Sequence, residues 1–268
     1  MKQYARAGLV CLLLGLGALP APGPAAAYVP VGGHLLVLAA DRIDDPPPAV
    51  VRQIRRRAAS PGQALRQYDE IVYLQFPGAF RSELSAADGK RVLLERGGRR
   101  WVVGGGSLLD APTDPLDLAI RLLVQTRPES ISQVLAEQGV DVRVTSLGRF
   151  NSRVGFVLGA RYPDESASQV WFDTETLLPF RWLMIRPTAD GPPDRTEIRY
   201  FAWQKAGALH YPQAMTCYHS DQLISEVRVG GIQAPAEVPG DLLRPDRLPD
   251  LSSKEETEPV VIAFQPRF

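Results

Sequence analysis

The chain has 268 residues, 45 % of them hydrophobic and 22 % charged, and its 30 Lys and Arg balance 30 Asp and Glu. That length accommodates one domain with a substantial core, and the charge balance leaves no global basic field to draw in nucleic acid. The two cysteines, Cys11 and Cys217, are too few for a disulfide framework.

At the N-terminus, Lys2 and Arg6 precede an apolar run from Ala7 to Leu19 and the small residues Ala25-Ala26-Ala27. This is the pattern of a secretory signal peptide over residues 1–27, with cleavage near Ala27 and a periplasmic destination. The apolar run is shorter than the roughly 20 residues that span a bilayer, which makes an uncleaved anchor the lesser alternative. Cys11 lies within the apolar run and is read as part of the leader. Cys217 is then alone in the remaining chain and expected to be a buried thiol.

A helix is expected from His34 to Ile43, broken by Asp44-Asp45 and Pro46-Pro47-Pro48. Residues 49–58 read either as a basic helix or as an edge strand, with Arg52, Arg55, Arg56 and Arg57 on a solvated face. From Gln67 the period becomes two. Residues 71–76 and 80–84 form a hairpin around Pro77-Gly78, with Phe80 and Leu84 on one face and Arg81 and Glu83 on the other. Residues 90–95 and 99–103 form a second hairpin around Gly97-Gly98.

Gly104-Gly105-Gly106 is expected to turn the chain from sheet to helix. Asp114 caps a helix with Pro115 in its first turn, Asp117 suits the helix dipole, and Leu116, Ala119, Ile120, Leu123 and Val124 make an apolar stripe. A second helix runs from Pro128-Glu129 to Gly139 with Ile131, Val134 and Leu135 on its apolar side. Seven strands follow, at 141–147, 153–161, 169–173, 179–186, 196–203, 211–219 and 223–229. An antiparallel sheet of about 11 strands is large enough to curl on itself. A proline-rich, charged tail over 241–268 ends in Val260-Val261-Ile262-Ala263-Phe264, which reads either as a last strand docking on the barrel or as the ordered tip of a loose tail.

Catalytic signatures do not assemble. His34, His210 and His219 have no metal-ligand spacing, and His210 and His219 sit at opposite ends and faces of one strand. Ser107 lacks a GxSxG frame, and Asp173 and Glu175 belong to a turn where Asp and Thr serve backbone hydrogen bonds. Phosphate-binding loops are absent from the sequence, so no cofactor is expected. Trp171, Phe172, Phe180, Trp182, Phe201 and Trp203 have no interleaved basic patch, and are expected to wall a hydrophobic interior.

Two blocks bear a resemblance: LQFPGAFRSELSAADGKRVLLERGGRRWVV, and VWFDTETLLPFRWLMI with the strands that follow it to Val229. In that order, with two helices between them and a signal peptide before them, they resemble the LolA/LolB superfamily of outer-membrane lipoprotein-sorting proteins. The resemblance implies a mainly β fold over 28–240, a half-open antiparallel barrel whose helices form a lid over a concave apolar face. It also implies a non-enzymatic carrier of lipid or lipoprotein acyl chains, in transient contact with membranes or membrane proteins. The alternative within the same fold is an envelope-stress sensor or scaffold that binds a partner protein.

Large apolar residues of alternating strands are the expected cavity lining: Tyr73, Phe76, Phe80, Leu84, Trp101, Phe156, Phe172, Trp182, Met184 and Tyr200. The expected lid residues are Leu116, Ile120, Leu123, Ile131 and Leu135. In the carriers an arginine precedes the proline that closes this second strand and is implicated in locking the lid. Here that position is Phe76, before Pro77, so an apolar plug is expected in place of a cationic lock.

Overall fold

The computed structural model describes residues 28–43, 45–87 and 89–248. The expected leader and the Val260–Phe264 run lie outside them.

Helix α1 (Gly32–Asp41) opens the described chain. A meander follows in β1 (Ala49–Arg57), β2 (Arg66–Gln75), β3 (Ala79–Ala86), β4 (Gly89–Arg96), β5 (Arg99–Gly104) and the two-residue β6 (Ser107–Leu108). Two helices come next, α2 (Pro115–Leu123) and α3 (Pro128–Glu137). A second meander comprises β7 (Thr145–Phe150), β8 (Arg153–Leu158), β9 (Gln169–Asp173), β10 (Pro179–Arg186), β11 (Asp194–Ala206), β12 (Leu209–His219) and β13 (Gln222–Gln233).

Among the described residues all the strands form one antiparallel sheet of 13, ordered β6-β5-β4-β3-β2-β1-β13-β12-β11-β10-β9-β8-β7. The pairing of β1 with β13 joins the meanders, so β1 is interior to the sheet and is neither a helix nor an edge strand. The sheet is not closed. Its edges, β6 and β7, are consecutive in the chain, and α2 and α3 are the connection between them. The lid is therefore the crossover that carries the chain from one edge of the sheet to the other.

Strand alternation sorts the side chains of the central strand. Ala49, Val51, Gln53 and Arg55 are buried on one face of β1, whereas Arg52, Ile54 and Arg56 are exposed on the other. The expected solvated arginine face is thus divided: Arg52 and Arg56 meet solvent, and Arg55 is fully buried. Gly104-Gly105-Gly106 also differs from expectation, because it turns β5 back into β6 before any helix begins. Gly105 and Gly106 both take positive φ there.

The inner face and the helices share one large apolar cluster. It includes Leu35, Val51, Val72, Leu74, Phe80, Leu116, Ile120, Ile131, Leu135, Phe172, Trp182, Met184, Tyr200 and Tyr211. Helix α1 packs on α3, and α2 packs over β11, β12 and β3. Gly32 starts α1 against the segment after α3 so closely that a Cβ would lie 1.7 Å from the Val142 carbonyl oxygen. On the outer face a separate small cluster gathers Val157, Ala160, Trp171 and Phe180. A short 3-10 turn at Gly240–Leu243 packs against β3 and β4, where Arg81 and Arg96 donate to the carbonyls of Leu242 and Leu243. The packed unit therefore runs on past residue 240.

Candidate ligand cavity and its lid

Seven of the proposed lining residues belong to the main interior or pack against it: Phe76, Phe80, Phe156, Phe172, Trp182, Met184 and Tyr200. Leu84 is buried two positions beyond Ser82 and four beyond Phe80, hence on the same face of β3. Tyr73 and Trp101 are corrections. Their neighbours Val72, Leu74 and Val102 enter the inner cluster, so strand parity sends Tyr73 and Trp101 to the outer face. There they fall in one cross-strand row, Tyr73 beside Arg81, Arg81 beside Leu94, and Leu94 beside Trp101. Of the six aromatics expected to wall the interior, Phe172, Trp182 and Trp203 do so; Trp171 and Phe180 pack on the outer face and Phe201 is exposed.

The lid residues Leu116, Ile120, Ile131 and Leu135 are buried in the main cluster, with Leu123 packed against it. Asp114 caps α2 by accepting from the Leu116 amide at 2.9 Å, and Pro115 opens the helix, as a good start signal should. At the other end the Gly78 amide donates to the Val124 carbonyl at 2.8 Å, tying the β2–β3 turn to the end of the lid helix.

Between these ends, α2 presents a charged edge, of which the sequence predicts Asp114 only as a cap and Asp117 only as a complement to the helix dipole. Asp114, Asp117 and Arg121 are three and four residues apart and share one side of the helix. Asp117 accepts from Arg55 Nη1 at 2.9 Å and, through a shorter contact, from Arg91 Nη2. Arg55 also donates to both oxygens of Glu70, at 2.9 and 2.8 Å, and Glu70 further accepts from Gln53 at 2.7 Å and Ser82 at 2.5 Å. Asp114 lies 3.6 Å from Arg55 and 3.3 Å from Arg57. Further along, Arg121 bridges Glu95 of β4 at 2.6 Å and Glu137 of α3 at 2.7 Å.

Removing these charges from water is costly, and close pairing offsets the cost. Burial opposes the charge on Arg55, yet Glu70, Asp117 and Asp114 outweigh it and hold the guanidinium above its ordinary pKa. For Asp117 burial pushes the carboxyl up, and Arg91 and Arg55 overcome it, leaving its pKa at about 2. Glu95 goes the other way. Its burial, with Asp117 and Glu137 nearby, prevails over Arg121 and raises it to about 7. Phe76 packs on the interior, and buried arginines of β1 and β4 pair with Asp117 of α2.

A cavity of about 40 Å³ lies between the helices and the second meander, lined by Ile43, Leu122, Ile131, Phe172, Trp203 and His210 among others. It has room for a few waters, where drug-sized ligands occupy roughly 300–1,000 Å³. Three histidines remain apart: His34 is exposed, His210 borders the cavity, and His219 lies 3.0 Å from Asp194 at the far end of β12. Among the described residues no group of three or more His, Cys, Asp or Glu is placed to hold a metal. The carboxylate of Asp173 is taken up by its own turn and by β8, accepting from Glu175 and Thr176 of the turn and from Arg153.

An open antiparallel half-barrel with its crossover helices laid on an apolar concave face is the fold of the LolA-like proteins. The chain aligns with a DUF1329 family protein from Desulfovibrio piger at TM-score 0.54 and 12 % identity, covering 82 % of this chain and 99 % of that one. A LolA superfamily protein from Nitrosomonas europaea aligns at TM-score 0.50 and 14 % identity, over 82 % and 100 %. A putative outer membrane lipoprotein-sorting protein domain from Vibrio parahaemolyticus aligns at TM-score 0.50 and 9 % identity, over 79 % and 95 %. No protein-family model and no curated protein matches the sequence.

Proposed function

We propose that this protein is a non-enzymatic carrier or binding protein of the cell envelope that holds acyl chains between the inner face of its sheet and the α2–α3 lid. What supports this most is the combination of a large apolar cluster shared by the inner face and the helices with a cover whose charged edge is ion-paired to β1 and β4. Ion pairs can be exchanged for water when the cover lifts, whereas the apolar floor gains from a chain laid on it. Each methylene removed from water contributes about 0.8 kcal/mol, so a chain of ordinary length is retained without any reactive group.

The leader pattern of residues 1–27 supports export, with the half-barrel as the working unit. No described helix is long and apolar enough to cross a membrane. The cavity between the helices and the second meander is too small for an acyl chain, so loading there requires the helices to move. Native mass spectrometry and solvent extraction of protein purified from its own periplasm should recover lipid, and a fluorescent fatty acid should bind saturably. Failure of both measurements would remove the carrier reading.

A further inference from the structure

The apolar floor contains hydrogen-bonding groups that the fold itself does not use. Trp182 Nε1, the Tyr200 hydroxyl and the Tyr211 hydroxyl are buried without a hydrogen-bond partner among the described residues. The three residues are 0 %, 2 % and 0 % exposed, and all belong to the main inner cluster. Buried groups of this kind are normally satisfied, because leaving one unpaired is costly. Three on one floor is a pattern that asks for a partner.

Their placement connects them to the cavity. Trp182, Tyr200 and Tyr211 stand on the adjacent strands β10, β11 and β12. Trp182 pairs with Ile198, two residues before Tyr200, a diagonal separation that aromatic side chains can bridge. Tyr200 stacks on Trp203 with ring centroids 6.0 Å apart, and Trp203 lines the cavity. The floor therefore continues from the cavity, past Trp203, to Tyr200 and its neighbours on the adjacent strands, beneath the helix α2 that packs over β11 and β12.

The groups also define what they could receive. An indole N–H only donates. Burial, with Tyr211 and Cys217 near Tyr200 and Glu70 near Tyr211, keeps both phenols protonated and so able to donate. A partner must then be an acceptor. It must also be neutral: the charges that act on Tyr211 are Glu70 and Arg55, and they are already paired with each other at 2.8 Å. An entering carboxylate would be a buried charge with no counter-ion.

We propose that the interior recognises an esterified acyl chain through its neutral carbonyl oxygen, received by Trp182, Tyr200 and Tyr211 at the floor of the sheet. This deepens the carrier reading and rests on it. The test is displacement of N-phenylnaphthylamine by methyl laurate and by tetradecane, two ligands of matched length. Binding is compared between the natural protein and Y200F, Y211F and the double variant. The double variant should bind methyl laurate about tenfold more weakly and tetradecane unchanged, with an unaltered or higher Tm because each lost hydroxyl had no partner.

Equal effects on ester and alkane, or no effect on either, would overturn the ester assignment while leaving the carrier reading in place. So would a Tm lowered by several degrees in both single variants, which would show the hydroxyls serving the fold. Laurate at pH 8 that bound more tightly than the ester and carried the tyrosine dependence would overturn the neutral acceptor. A natural protein that bound neither dye nor either ligand would remove both proposals together.

Discussion

Asp117 and Glu95 lie on opposite sides of one energetic balance, although both are buried carboxylates beside an arginine. Asp117 faces two guanidinium groups and is stabilised as an anion, with its pKa at about 2 against an ordinary 3.8. Its contribution to stability is complete above pH 4 and is lost as pH falls toward 2. Asp117→Asn should remove that acid-sensitive component and leave Arg55 and Arg91 undercompensated, lowering stability at pH 7 by about 3–5 kcal/mol in urea unfolding. Glu95 is ion-paired to Arg121, which Glu137 shares, and burial lifts its pKa from 4.5 to about 7. A raised carboxyl stabilises most below pH 4.5 and loses that stability as pH rises to 7, here on the order of 3 kcal/mol. Glu95→Gln should flatten the stability profile between pH 4.5 and 7, with little effect below that range. A profile unchanged by the substitution would show that Glu95 titrates normally.

At the scale of elements, α2 is both the lid and the first part of the bridge between the sheet edges, so its stability and its opening are linked. Ile120 is fully buried on its apolar side, opposite in role to the charged edge that Asp117 and Arg121 supply. Ile120→Asn places an amide in that apolar contact and should cost about 2–5 kcal/mol. It should also increase hydrogen exchange in residues 115–123 before the strands exchange, because the sheet ladders do not pass through the helix. Uniform exchange across helix and sheet would deny the lid a separate opening. This element was legible in the sequence: the Asp114-Pro115 start and the 116/120/123 stripe are local signals. β1 was less so, since VVRQIRRR meets no helix or strand template cleanly, and its interior place depends on a pairing with β13 from the other end of the chain. Arg55 was legible only through that pairing. Once β1 is a central strand, parity puts Arg55 beside Val51 and Gln53, facing inward. Tyr73 and Trp101 failed for the same reason in reverse: apolar neighbours on both sides made size a poor guide to face, and only register settles it.

At the scale of the whole molecule, the two meanders meet at β1 and β13, and the helices close the opposite side, so two kinds of opening are conceivable. The lid can lift from an intact sheet, or the sheet can part and take the lid with it. Cys217 distinguishes them. It is fully buried on β12, paired with Ile198 on the floor that α2 covers, and burial pushes its thiol pKa well above the ordinary range. In the closed state it should be inert to alkylation, since the thiolate is the reactive form and access is blocked. If the lid lifts alone, modification of Cys217, followed by peptide mass, should begin at urea concentrations below global unfolding. It should also show a shallower dependence on urea than the unfolding transition, because less surface is exposed. Asp117→Asn, which weakens the ion pairs of α2, should accelerate that modification by more than tenfold at pH 7 without changing its slope. If alkylation instead tracks global unfolding in both proteins, the sheet and lid open as one, and a carrier built this way would have to load its ligand as it folds.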